Sequence, residues 1–243
     1  MKKILFSLGV IGVVSVAVIG GTMSFFRDQE ESVGNTFSAG EIDLKVDYQC
    51  DKVGCSFSER DLVDNRPFFS ECDVKPGDSR SAAISLHVYN NNAWGRISLA
   101  NLFNWENACT EPEAKLDATC GDPGNGQGEL GEKLLFTLWM DEGGVSGWQC
   151  PTNQPACALD PQEGDKILNG VESVLEEDIS ADDIYALGWI VLPEEIVASN
   201  TYYLGIKWSL PAGEGNILQS DSISGKVIMQ VVQTDNNPDK IFP

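Results

Sequence analysis

Apolar and polar residues alternate along much of this chain. The alternation runs through 41–48 and again through 81–89, where every second residue is apolar. A period of two is typical of a β-strand that has one face in a core and the other in solvent. The same pattern predicts strands at 133–140, 201–210 and 226–233, and weaker candidates at 96–102 and 188–192.

Turn-forming residues separate these predicted strands. Groups of Pro, Gly, Asn and Asp occur at 75–78, 90–92, 122–124, 142–144 and 211–213. One short helix is predicted at 180–187, because Ser180 can cap its first turn and Asp182 and Asp183 lie near its positive end. Many strands and few helical segments predict an all-β fold, an antiparallel β-sandwich with loop insertions and at most one or two short helices.

The first residues have the layout of an export signal. Two lysines precede an apolar run at 4–19, and small residues ending at Ser24 precede Phe25. This layout is typical of a secretory signal peptide, so we expect a signal peptidase to cut between Ser24 and Phe25 and the protein to be secreted or held at the cell surface. An uncleaved anchor is the alternative, although the apolar run is shorter than the roughly 18–20 residues that a spanning helix needs.

The rest of the chain has the length of one β-sandwich domain. We therefore expect three parts: a signal peptide at 1–24, an N-terminal segment at 25–40 and a single domain at 41–243. Two stretches of the domain, 103–130 and 141–187, are rich in loops and cysteines.

The chain is strongly acidic, with a formal net charge of −21. This charge argues against nucleic acid as a partner and, after cleavage, against a membrane surface, because both are themselves anionic.

Seven cysteines suit an oxidising compartment. The candidate disulfides are the closely spaced pairs Cys50–Cys55, Cys109–Cys120 and Cys150–Cys157. Cys72 is left over with three open fates: pairing with Cys50 or Cys55 instead, pairing with another chain, or remaining a buried thiol. A zinc site is disfavoured because the chain has no CxxC spacing and a single histidine.

No motif for catalysis is evident. A serine or cysteine nucleophile would need His87 as its base, but the alternation places His87 on the polar face of a strand beside Ser85, where we expect a solvated side chain. The chain has neither an HExxH zinc motif nor a GxxxxGK phosphate loop. We therefore expect no catalytic residues and no enzyme activity.

Acidic residues form three groups that could hold calcium, since hard oxygen ligands suit that ion. They are Glu176, Glu177 and Asp178 with Asp182 and Asp183; Asp141 with Glu142; and Asp122, Asn125 and Glu129. None has EF-hand spacing, so we expect solvated acidic loops and no cofactor, with structural calcium as the alternative.

Six tryptophans could form a ligand-binding platform. They are Trp94, Trp105, Trp139, Trp148, Trp189 and Trp208. Trp139 and Trp208 lie on strand faces where core packing is expected. Trp105 and Trp148 lie near the predicted disulfide loops and are the better surface candidates.

Three parts of the chain together resemble a known family. They are Gly20-Gly-Thr-Met-Ser-Phe-Phe-Arg-Asp28 followed by Gly34-Asn-Thr-Phe-Ser-Ala-Gly40; Val74-Lys-Pro-Gly-Asp-Ser79 with the strand that follows; and Trp208-Ser-Leu-Pro211 with Gln219-Ser-Asp-Ser222 and the final strand. These features are similar to the TasA/camelysin family of secreted proteins, which depend on a specialised signal peptidase. The resemblance covers both ends and the first third of the chain, and 103–187 is unmatched.

The resemblance implies a jelly-roll-like sandwich that serves as a structural subunit of an extracellular fibre, pilus or biofilm matrix. In such fibres the N-terminal segment adds a strand to a neighbouring subunit, so the partner is a second copy, head to tail. Here the segment carries Phe25, Phe26, Val33 and Phe37. The alternatives are a monomeric surface module that binds glycan or protein, and a secreted metallopeptidase of camelysin type, for which the chain has no recognisable metal motif.

Overall fold

The computed structural model describes residues 43–50, 69–144, 150–151 and 160–242. The predicted signal peptide, its cleavage site at Ser24 and Phe25, and the N-terminal segment 25–40 with Phe26, Val33 and Phe37 lie outside the described residues. Cys55, Trp148 and Cys157 do so as well. Within the described residues, no helix has the length and apolar character needed to cross a membrane.

Ten strands and two short helices make up the described chain. The strands are β1 (Asp43–Cys50), β2 (Ser79–Tyr89), β3 (Ala93–Glu106), β4 (Gly124–Asn125), β5 (Leu135–Met140), β6 (Cys150–Pro151), β7 (Val174–Ser180), β8 (Ile190–Ile196), β9 (Asn200–Ser209) and β10 (Asp221–Gln233). The helices are α1 (Leu130–Lys133) and α2 (Ala181–Leu187), with 3-10 turns at Glu113–Lys115 and Asn216–Leu218. The predicted all-β class is confirmed.

The strands form two antiparallel sheets. The first has the order β1-β2-β9-β5-β7, with β6 also paired to β9. In the second, β10 lies on one edge of β3, while β4 and β8 pair with β3 as well. The pairs β2–β9, β3–β8 and β5–β7 are nested along the chain, which is the connectivity of a jelly-roll sandwich.

The main core lies between the two sheets. Its buried side chains include Ile84, Leu86 and Val88 of β2, Leu138 and Met140 of β5, Leu204 and Ile206 of β9, and Ile97, Ile190, Leu192 and Ile196 of the second sheet. In β2 and β9 these are the positions that the alternation assigned to one face. The period-two pattern therefore identified the inward faces of the two central strands correctly.

The outward face of β2 is buried around Ser85 and His87, which corrects one expectation. His87 is only 5% exposed, and its ring nitrogens lie 2.6 Å from Ser85 Oγ and 3.2 Å from Thr201 Oγ1. The prediction of a solvated histidine is wrong, because alternation shows which residues share a face but not whether that face is covered. His87 is a hydrogen-bonded interior residue of the sheet.

The segment around α2 contains the predicted N-cap, and it follows a strand, β7, that the sequence pattern did not predict. Ser180 Oγ accepts a hydrogen bond from the Asp183 backbone N–H at 3.1 Å, so the predicted N-cap is confirmed. The acidic run Glu176–Asp178, expected in a solvated loop, instead lies in β7 at the edge of the first sheet. An edge strand can carry charges because one of its sides meets solvent.

Candidate metal centre

A disulfide-closed loop leaves the sandwich at the end of β3. The loop spans 107–128, and the predicted Cys109–Cys120 disulfide within it is confirmed. Glu113 lies inside this loop and is completely buried. Its Oε2 accepts a hydrogen bond from the Thr110 backbone N–H at 2.9 Å. The loop is therefore folded around an acidic side chain rather than around an apolar core.

Three carboxylates meet where this loop joins the sandwich. Glu106 ends β3, Asp221 begins β10 and pairs with Glu106 in the antiparallel ladder, and Glu129 directly precedes α1. Each offers one oxygen, and these oxygens all lie within 4.8 Å of one another. We call Glu106, Glu129 and Asp221 the acidic triad.

The triad lacks positive charge and leaves oxygens without partners. Asp221 Oδ2 accepts hydrogen bonds from the backbone N–H groups of Glu129 and Leu130, at 2.7 and 3.0 Å. Asp221 Oδ1, Glu106 Oε2 and Glu129 Oε2 are buried and accept no hydrogen bond. Among the described residues, no lysine or arginine forms an ion pair with any triad member.

Glu113 and Asp117 are two further buried acidic residues close to the triad. Ser220 Oγ lies 3.1 Å from Glu106 Oε1 and 3.3 Å from Glu113 Oε2, so it links Glu113 to the triad. The Thr119 hydroxyl donates to Asp117 Oδ1 at 2.7 Å and lies 3.4 Å from Glu129 Oε1. The negative charge at this end of the sandwich therefore extends beyond the three triad carboxylates.

Burial and mutual repulsion raise the pKa values of two triad members. Burial raises the pKa of Asp221 to about 7, and the charges of Glu106 and Glu129 add to the rise, while two backbone N–H groups oppose it. Burial also raises the pKa of Glu129, helped by the nearby Asp117. A negative cluster of this kind favours either a proton or a bound cation.

The sequence identified only part of this site. Glu129 had been grouped with Asp122 and Asn125, but Asp122 is exposed and the Asn125 side chain accepts a hydrogen bond from the Asn104 backbone N–H. Glu129 instead meets Glu106 and Asp221. No local signal marks those two residues, because they come together only through the pairing of β3 with β10.

A second acidic group follows β5. Asp141, predicted to be solvated, is completely buried, and its Oδ2 accepts a hydrogen bond from the Lys166 backbone N–H at 2.9 Å. Burial raises the pKa of Asp141 to about 8, with the charges of Glu172 and Asp165 adding to the rise. Burial likewise raises the pKa of Glu142 to about 7. The prediction of a solvated acidic loop is wrong at Asp141, because the chain returns at Lys166 and its backbone N–H bonds the buried carboxylate.

The tryptophans divide largely as predicted. Trp139 and Trp208 are buried in the core, at 1% and 4% exposure, and Trp105 is exposed on β3. Trp189 is half-exposed, with the Arg96 guanidinium 4.1 Å from its ring centroid. Trp105 is exposed and directly precedes Glu106 of the triad. A ligand-binding surface centred on Trp105 therefore remains an alternative hypothesis for this region.

The remaining cysteines are only partly described. Cys72 carries a free thiol, but the expectation that such a thiol would be buried is wrong, because Cys72 is exposed. Cys50 and Cys150 lie in β1 and β6, while their predicted partners lie outside the described residues. The pairs Cys50–Cys55 and Cys150–Cys157 therefore stay predictions.

Removing the Cys109–Cys120 disulfide is expected to lower the free energy of unfolding by about 2 kcal/mol, because the bond closes a short loop in the unfolded chain. The double variant Cys109→Ser/Cys120→Ser tests this by urea unfolding followed by tryptophan fluorescence. Cys72→Ser is the matched control and should unfold as the wild type does. Equal stability of the double variant and the wild type would contradict the expectation.

No protein-family model matches this chain, and no curated protein matches it either.

Proposed function

We propose that this protein is a secreted structural subunit of an extracellular fibre, pilus or biofilm matrix, and that copies join head to tail. The N-terminal segment 25–38 of one subunit would add a strand to the next. The observation that best supports this proposal is the outer edge of β10.

β10 is a long edge strand whose apolar residues are incompletely covered. It pairs with β3 along nearly its whole length, and among the described residues no strand pairs with its other edge. None of its 13 residues is buried, although Val227, Met229 and Val231 pack against the main core. An incoming strand can form hydrogen bonds with the unpaired backbone groups of this edge and cover its half-buried apolar side chains.

Two other sheet edges carry features that discourage pairing. β7 has Glu176, Glu177 and Asp178 in sequence, and its ladder with β5 shifts register twice. β8 contains Pro193, followed by Glu194 and Glu195. Charges, irregular pairing and proline all block the addition of a strand. β10 has only Asp221 and Lys226 as charged residues, so it is the better acceptor edge.

A small, mostly apolar void lies in the core between the two sheets. Leu44 of β1, with Met229 and Val231 of β10, is among its lining residues. β1 and β10 are edge strands of the first and the second sheet, and residues of both line this void. Phe25, Phe26, Val33 and Phe37 give the N-terminal segment apolar side chains that would cover the half-buried apolar residues of β10.

Other features agree with an extracellular, non-catalytic role. The Cys109–Cys120 disulfide suits an oxidising compartment. A camelysin-type peptidase is less well supported, because the single histidine, His87, is buried and bonded to Ser85 and Thr201 within the sheet.

The mature chain beginning at Phe25 is expected to form filaments in electron micrographs, and a truncation beginning at Gly40 to remain monomeric. Val33→Asp and Phe37→Asp should abolish assembly, because each puts a charge where an apolar side chain is to be covered. Ser32→Asp and Ser38→Asp add the same charge one position away and should assemble. If the wild type and the truncation are both monomers, the fibre proposal fails, and a surface binding module centred on Trp105 becomes the leading alternative.

A second measurement locates the acceptor strand. A peptide of residues 25–38 is added to the truncated chain, and backbone amide hydrogen exchange is followed. We expect slower exchange in β10 and unchanged exchange in β7. Protection of β7 instead of β10 would contradict the assignment of the acceptor edge, even if filaments form.

A further inference from the structure

The acidic triad has geometry that the proposed assembly does not explain. Its three carboxylates come from the end of β3, the start of β10 and the residue before α1, and they converge within 4.8 Å. Side chains of equal charge do not approach this closely without compensation, because their mutual repulsion is added to the energetic cost of burying each charge. The described residues supply no cation.

Several buried carboxylate oxygens in and beside the acidic triad have no hydrogen-bond donor. Glu106 is 1% exposed, yet its Oε2 has no hydrogen-bond partner. Glu113 and Asp117, 0% and 7% exposed, each leave one oxygen unpartnered as well. A buried carboxylate oxygen without a donor is strongly unfavourable, so native structures pair it or bind it to a metal. Protonation of one carboxylate relieves part of the repulsion, whereas a cation with multiple positive charge also satisfies several of these oxygens at once.

The donor set selects the kind of ion. All candidate ligands are oxygens, with neither a cysteine nor a histidine among them, which disfavours zinc and copper. The ligands come from two strands and a loop, and this irregular arrangement suits Ca²⁺, which accepts six to eight oxygens in flexible geometry. Mg²⁺ requires a near-ideal octahedron and is less suited.

We propose that Glu106, Glu129 and Asp221 form a calcium site that fastens both ends of the 107–128 loop to the first residue of β10. Glu106 lies immediately before this loop and Glu129 immediately after it, so one ion bound to both closes the loop at its base. Asp221 ties that closure to the sandwich. The Cys109–Cys120 disulfide fastens the interior of the same loop, and the ion would fasten its ends. This site is independent of the proposed assembly.

The binding test uses the mature chain beginning at Phe25, freed of metal with a chelator and titrated with CaCl₂ in a calorimeter. We expect a Kd of about 1 mM or tighter, with weaker binding of MgCl₂. Glu129→Gln and Asp221→Asn should each raise the Kd at least about tenfold, since each removes a charged ligand. Asp122→Asn removes the same charge from an exposed position of the loop and should bind as the wild type does.

A second readout needs no variant. Lys115 is exposed within the loop, and the disulfide encloses it, so tryptic cleavage after Lys115 is visible only on a reducing gel. Free calcium at ten times the Kd should slow this cleavage about tenfold, because binding reduces the open population by mass action.

Two results would overturn the proposal. One is the absence of calcium binding, and of protection at Lys115, up to about 10 mM, which is beyond the range of extracellular calcium modules. The other is equal calcium affinity in the wild type, Glu129→Gln and Asp221→Asn, which would place the ion elsewhere. Far-UV circular dichroism of each variant confirms that the comparison is between folded proteins.

Discussion

The variant Gly205→Ala is expected to lose about 4 kcal/mol of its free energy of unfolding, because it overpacks the centre of the first sheet. Gly205 lies in β9 directly opposite Trp139 of β5. A Cβ atom at this position would lie 2.0 Å from Cε2 and 2.2 Å from Cζ2 of the Trp139 ring, far inside van der Waals contact. Trp139 is 1% exposed, so the ring has no solvent-facing space into which it can move.

Urea unfolding monitored by circular dichroism measures this loss. Gly213→Ala is the control, because Gly213 lies in an exposed turn and its added Cβ would meet nothing within 4 Å. In the Gly205→Ala background, Trp139→Leu should recover part of the stability, since the smaller side chain leaves room for the methyl group. A Gly205→Ala protein within about 0.5 kcal/mol of the wild type would show that the sheet relaxes around the ring.

The second large effect is a loss of stability with rising pH that depends on Asp141. Burial raises its pKa to about 8 in the folded chain, against 3.8 for an unperturbed aspartate. Between these values the folded chain holds a proton that the unfolded chain has released. The contribution of Asp141 to stability is therefore fully present below about pH 4, falls as the pH rises, and is lost above about pH 8.

Asp141→Asn removes this titration and should make the profile less steep, while Glu142 and Asp221, whose pKa values are also raised to about 7, continue to contribute. Each pKa unit corresponds to about 1.4 kcal/mol, and the interval from pH 5 to the folded pKa covers about three units, so we expect the wild type to lose about 4 kcal/mol relative to the variant between pH 5 and pH 9. Thermal unfolding across that range measures the difference. The exposed Asp122→Asn should follow the wild-type profile, and parallel profiles for Asp141→Asn and the wild type would contradict a protonated, buried Asp141.

Local patterns were sufficient to predict the central strands. The alternation at 81–89 and 201–210 corresponds to β2 and β9, which lie next to each other in the first sheet. Ser180 was recognisable as a cap, because a hydroxyl before a helix satisfies a free backbone N–H whatever the surrounding fold. These features depend on neighbours in sequence, so the sequence alone could reveal them.

Features that depend on tertiary pairing were not predictable. The start of β10 was missed because the ladder with β3 shifts register between Ser224 and Lys226, which interrupts the alternation. That missed part begins with Asp221, so the acidic triad was missed with it. The burial of His87 was not predicted for a related reason. The alternation of a strand shows which residues share a face, but not whether other residues cover that face. β7 was not predicted because its run of three acidic residues breaks the apolar alternation, and an edge strand tolerates such charges.

The nested strand pairing also determines when this chain can fold. Ser85 pairs with Tyr203, and Trp94 pairs with Val232, so the central contacts join the first half of the sequence to its last fifth. Closing loops of this length costs conformational entropy before the contacts between the distant strands contribute any stabilisation, and such topologies fold slowly. During synthesis the chain cannot close its core until β9 has followed β2. Until then the long apolar face of β2 stays uncovered, and an uncovered apolar face of this length is prone to aggregation.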